Sequence, residues 1–186
     1  MRVFAYCCAS FAEATRKAAG VEPVLCPPAS TQTFDPGWLE GYDLLYFDLH
    51  GQPDARHWQG DDAVLALAAS QIRQADLGGA VVFALNCYLA DEGSPMMDAL
   101  LDAGARYVIG GDGKNWAGRR DVYGAGLLGY LFRRLLARGV SPLKALALAK
   151  GGIRIKMKVD RIAKKTGKVK AARDTLAFKV YYRSRQ

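Results

Sequence analysis

No apolar run in the sequence approaches the ~18–20 residues that cross a bilayer, so no transmembrane helix is expected. The first eight residues turn polar too soon for a signal peptide, and the protein reads as cytoplasmic. Cysteine is scarce. Cys7, Cys8, Cys26 and Cys87 have neither the paired spacing of a zinc site nor the density of a disulfide scaffold. Cys7 and Cys8 read as small core residues. No metal and no cofactor are expected: the acids form no calcium-like cluster, and Gly110-Gly111-Asp112-Gly113 follows no phosphate-loop pattern. No internal repeat is visible. Acids all but vanish from the C-terminal end. Residues 150–186 hold thirteen Lys and Arg against two acids, a net +11, which leaves the first 149 residues at −3. Such a segment is either a solvated face or a site for nucleic acid or another acidic partner.

What is present is a chain of 186 residues, 51% hydrophobic and 24% charged, enough for a sizeable core. One domain over 1–186 is expected, with 150–186 as its basic segment. Runs at 2–8, 22–26, 43–49, 80–86, 106–110 and 175–183 read as strands. Helical signals lie between them. Ser10 with Glu13 forms a capping-box pattern for a helix that stops at Gly20. His57 falls in a loop, after which Asp61 or Asp62 opens an alanine-rich helix to about Gln74. Ser94-Pro95 and Ser141-Pro142 each set an N-cap serine before a proline at the first helical position. A further helix covers 123–137. Ile153, Ile155, Met157 and Val159 alternate as a strand would, yet they continue the helix begun at Pro142, and helix is the expectation. Strands alternating with helices define a doubly wound α/β protein.

Two of the strands end in reactive residues. Asp43-Leu44-Leu45-Tyr46-Phe47-Asp48-Leu49 runs into His50-Gly51, and Gly79-Ala80-Val81-Val82-Phe83-Ala84-Leu85 runs into Asn86-Cys87. Near-continuous apolar runs of this kind suit buried parallel strands. Ligands bind beyond the carboxyl ends of such strands. If the two strands are neighbours, a thiol and an imidazole face one cleft, the minimum for a cysteine nucleophile with its acid–base partner. Each residue also has a structural reading: His50 as a satisfied loop or core histidine, Cys87 as a small buried residue.

A hydrophobic block ending in His-Gly, a spacer, and a hydrophobic block ending in Cys resembles the signature shared by caspases, gingipains, separases and CHAT domains. Ser94 to Gly110, with its Ser-Pro start, Gly104-Ala105 and Val108-Ile109-Gly110, is similar to the stretch after the nucleophile in CHAT and gingipain-like domains. Gly139-Val140-Ser141-Pro142-Leu143-Lys144-Ala145-Leu146-Ala147-Leu148-Ala149 resembles a helix of CHAT domains. The resemblance covers roughly 42–150. It implies a caspase-like three-layer sandwich, a mostly parallel six-stranded sheet with helices on both faces. It implies a cysteine endopeptidase with His50 and Cys87 as its dyad and the backbone N–H groups of Gly51 and Cys87 as its oxyanion hole.

Relatives that cleave after Arg or Lys carry an acid near the end of the first strand or two positions before the nucleophile. Cys8, Ala9 and Leu85 stand there. Among the acids of the presumed active edge (Asp48, Asp91, Glu92 and Asp112), Asp91 and Asp112 are expected to line the substrate pocket, together with Trp116. Partners implied are a peptide or protein substrate, an activating protein, an acidic partner such as nucleic acid on the basic segment, and a second copy joined through the last strand. The alternative function is a catalytically inactive caspase-like interaction module.

Overall fold

The structure is a computed structural model that describes residues 1–53, 56–162, 170 and 172–182. Its strands are β1 (Val3–Cys8), β2 (Val24–Cys26), β3 (Leu44–Asp48), β4 (His57–Gln59), β5 (Leu65–Ala68), β6 (Val81–Ala84), β7 (Tyr107–Gly110) and β8 (Lys179–Tyr181). Its α-helices are α1 (Ala12–Ala19), α2 (Ala69–Ile72), α3 (Pro95–Asp102), α4 (Ala125–Leu136) and α5 (Pro142–Ile162).

Six strands form one sheet in the order β2-β1-β3-β6-β7-β8. The first five are parallel, and β8 closes one edge antiparallel to β7. The central strands read as continuous apolar runs because both faces are covered. On β3 the side chains divide by parity: Leu45 and Phe47 join one core, Leu44 and Tyr46 the other. The first core is covered by α2, α3 and the β4–β5 hairpin. The second is covered by α1, α4 and α5. The architecture is the expected three-layer α/β sandwich.

Several local signals act as expected. Ser94 Oγ accepts from the Met97 N–H, with Pro95 at the first helical position. Gly20 takes φ +73° and ends α1. The alternating run 153–159 is helical: Ile153 and Met157, four residues apart, are buried, while Ile155 and Val159 are exposed. The last strand is shorter than the 175–183 expected, since a 3₁₀ turn (Thr175–Ala177) precedes it, and Arg183 lies outside the described residues. Among the described residues no helix is long and apolar enough to cross a membrane.

Three expectations are corrected. The alanine-rich stretch after Asp61 is not a helix to Gln74, and His57 is not in a loop. His57 opens β4, which pairs antiparallel with β5, and only Ala69–Ile72 is helical. Alanine favours helix, but the propensity is a fraction of a kcal/mol per residue. Here it is overridden by burial of Trp58, Ala66 and Leu67 against the first core and by the ladder that carries them. Gln71 then caps the short helix by accepting from the Ala68 N–H at 3.1 Å. Ser10 and Glu13 likewise form no capping box. Glu13 pairs with Lys17 instead. Ser10 donates through its N–H and its hydroxyl to the two carboxylate oxygens of Asp61, at 2.7 and 2.6 Å.

Candidate active site

The register of β3 against β6 decides where the two reactive residues emerge. The last registered pair is Phe47↔Ala84. His50 and Cys87 each stand three residues beyond it, so they leave adjacent parallel strands side by side. A cleft of about 500 Å³ opens there, and both residues line it. Phe11, Leu85, Trp116 and Tyr123 supply its apolar wall. Phe11 meets the His50 ring edge-on at 5.4 Å between centroids.

The His50 backbone is clamped by the hairpin. Its N–H donates to the Gln59 carbonyl at 2.8 Å, and the Gln59 N–H donates back at 2.9 Å. Cys87 is half-buried and faces the loop after β7. The Asn115 N–H donates to its sulfur at 3.3 Å. The next residue, Tyr88, holds φ +62°. That conformation costs a residue with a Cβ about 1–2 kcal/mol. Strain of this kind persists only where surrounding bonds enforce it; here the Tyr88 N–H is tied to the Gly113 carbonyl at 2.7 Å. Gly51 lies directly on the Cys87 backbone. A Cβ at position 51 would run into the Cys87 carbonyl oxygen and stand 3.2 Å from the Cys87 nitrogen. The two N–H groups named from the family resemblance thus belong to touching segments.

Burial pushes the Cys87 thiol above its ordinary value, against the opposing pull of the Asn115 N–H and the Lys114 charge. A resting thiolate is therefore not favoured, and the sulfur needs a proton acceptor when it reacts.

Of the expected pocket residues, Trp116 lines the cleft and is half exposed. Asp91 and Asp112 are not in its lining. Asp91 accepts from the Gly113 N–H at 2.8 Å, and Asp112 pairs with Lys179 at 2.7 Å. Among the described residues, the carboxylate that does line the cleft is Asp48, together with Lys114 and Arg119. Asp48 is buried and accepts from the Thr15 hydroxyl at 2.8 Å. Burial raises its carboxyl from 3.8 to about 7, partly offset by Thr15.

That shift has a sign. Below about pH 4 both folded and unfolded chains hold the proton. Between 4 and 7 only the folded chain does, so stability falls as pH rises, and above 7 the buried charge exerts its full cost. Asp48→Asn keeps an acceptor for Thr15 and removes the charge. Its Tm is expected to exceed the parent's by several degrees at pH 8, with the gap closing towards pH 4. A gap independent of pH in thermal denaturation would contradict this.

One group of neighbours was not legible from spacing. Single ligand-type atoms of Cys8, His50 and Asp61 lie within 4.8 Å of one another. Cys8 ends β1, His50 follows β3, and Asp61 sits in the β4–β5 turn. His50 also lines a second hollow with Ser10, Gln59, Gly60 and Asp61. The imidazole therefore stands between Cys87's cleft and Asp61's hollow.

The mostly parallel six-stranded sheet, covered by helices on both faces and closed by one antiparallel edge strand, is a caspase-like α/β sandwich. Among solved structures, the chain is similar to the crystal structure of the Arg-specific cysteine proteinase gingipain R, with a TM-score of 0.51 and 11% identity. The match covers 97% of this chain and 45% of that one, so the chain spans less than half of the proteinase's length. No protein-family model and no curated protein sequence matches the chain.

Proposed function

We propose that the protein is a cysteine endopeptidase of the caspase-like kind, related to CHAT and gingipain-like domains, that cleaves peptide bonds through an acyl-enzyme on Cys87. The observation that carries this is the contact of Gly51 with the Cys87 backbone at the point where His50 and Cys87 leave neighbouring strands. As the substrate carbonyl seats, the Cys87 thiol passes its proton to His50, and the sulfur bonds to the carbonyl carbon. The N–H groups of Gly51 and Cys87 receive the negative oxygen. His50 returns the proton to the leaving amine, then takes one from water as that water attacks the thioester and frees Cys87. Asp61, held by Ser10, stands beside the His50 imidazole on the side away from Cys87's cleft.

The specificity in gingipain R's name does not transfer. Lys114 and Arg119 line this cleft, and its carboxylate, Asp48, is buried with a raised pKa. Apolar or acidic side chains before the scissile bond suit such a lining better than Arg or Lys.

A second reading is favoured by the raised Cys87 thiol: an inactive caspase-like interaction module. One experiment separates the two. The chain is incubated with a peptide library and, in parallel, with peptide acyloxymethyl ketones of varied P1 residue. A peptidase cleaves peptides with a shared, non-basic P1 residue, and the ketone blocks cleavage while adding one mass increment to Cys87. No cleavage and no adduct on Cys87 with any sequence leaves the interaction module.

A further inference from the structure

We propose that Cys8, His50 and Asp61 form a binding site for a zinc-class divalent cation, and that occupancy withdraws His50 from Cys87. The donor set is a thiol sulfur, an imidazole nitrogen and a carboxylate oxygen, the mixture that borderline ions such as Zn²⁺ prefer. The three atoms lie within 4.8 Å of one another. Around one tetrahedral ion, with bonds of about 2.0–2.3 Å, such atoms stand about 3.5 Å apart. Closing the site therefore takes shifts of about 1 Å, which the exposed His50 side chain can supply.

The surroundings fit a metal better than an ordinary polar contact. Both Asp61 oxygens accept from Ser10, the kind of outer hydrogen bonding that orients a ligating carboxylate. Cys8 is fully buried at the inner side, while Asp61 and His50 line an open hollow of about 730 Å³ through which an ion and a coordinating water can enter. A divalent cation lowers the pKa of a thiol that coordinates it far enough to deprotonate it. On binding, Cys8 releases its proton to solvent and ligates as thiolate. Positions 8, 50 and 61 are too scattered along the chain to form a spacing motif.

Only the inhibitory consequence rests on the peptidase reading; the binding stands apart from it. The test is titration of the full chain with Co²⁺, read as a thiolate-to-cobalt charge-transfer band in the near ultraviolet, followed by displacement with Zn²⁺. One equivalent is expected. Cys87→Ala should keep the band, and Cys8→Ala should lose it. Asp61→Asn, partly exposed and compatible with folding, should weaken binding by about tenfold or more, and it decides the matter if Cys8→Ala does not fold. The proposal is overturned by absence of the band in the parent chain, by its loss in Cys87→Ala, or by unchanged affinity in Asp61→Asn. If peptide hydrolysis is found, one equivalent of Zn²⁺ should suppress it and a chelator restore it. If none is found, the cobalt spectrum still decides.

Discussion

Cys87→Ala is expected to lower peptide hydrolysis by about 10⁴–10⁶-fold while leaving the fold intact. The size follows from the role. Without sulfur no acyl-enzyme forms, and the cleft retains only substrate binding and the paired N–H groups. The stability cost is small because Cys87 is half-buried at a strand end and forms weak sulfur contacts with Asn115. The other cysteines supply the contrast. Cys7 is fully buried between strands, its thiol pushed up to about 12 by burial. Cys7→Ala should therefore keep full hydrolysis and lower Tm by a few degrees. Rate assays with thermal denaturation of both variants check the pair. Equal hydrolysis by Cys87→Ala and the parent removes the peptidase reading.

Gly51→Ala is expected to have the next largest effect, a loss of about 10²–10³ in kcat. A Cβ there meets the Cys87 carbonyl oxygen and crowds the Cys87 nitrogen, so the two backbone segments must separate. Separation moves both N–H groups off the point where the carbonyl oxygen becomes negative. Overpacking of this kind also costs about 1–3 kcal/mol of stability. The KM should change far less than kcat, because the donors act on the charge that develops in the transition state. Gly151→Ala is the control. It adds a Cβ on α5 with no neighbour within 4 Å and should raise Tm slightly through helix propensity, with hydrolysis unchanged. If Gly51→Ala hydrolyses peptides like the parent, the oxyanion site lies elsewhere.

The sheet was legible because its signal is local. Apolar runs of four to six residues mark β1, β3, β6 and β7, and Ser-Pro pairs mark the starts of α3 and α5. The helical period of α5 was harder to read, since alternation over 153–159 mimics a strand; the buried Ile153 and Met157 resolve it. The β4–β5 hairpin was hidden because its pairing depends on Trp58 reaching the core and on the His50–Gln59 bridge, neither encoded in the alanine-rich stretch itself. The same hairpin brings Asp61 to His50. Whatever the hairpin positions was therefore out of reach of the sequence: the Ser10–Asp61 clasp, and Cys8 as a neighbour of the imidazole. Asp91 and Asp112 sit near the predicted edge, yet Asp91 is engaged by the Gly113 N–H of the loop after β7 and Asp112 by Lys179. In the sequence Asp48 is one acid among four at the active edge; the structure gives it a buried place in the cleft.

The most direct test of the pairing of Cys87 with His50 is an acyl-enzyme trap. The chain and its His50→Ala variant are mixed with an activated ester of a cleaved peptide, quenched in acid, and mapped by mass spectrometry. The ester's good leaving group needs no proton and solvent base can take the thiol's, so both proteins should carry the acyl group on Cys87, the variant acquiring it more slowly. In the parent it should turn over, while in His50→Ala it should persist for want of a base to activate water. An acyl group on any other residue, or equal turnover in the two proteins, contradicts a dyad at this cleft.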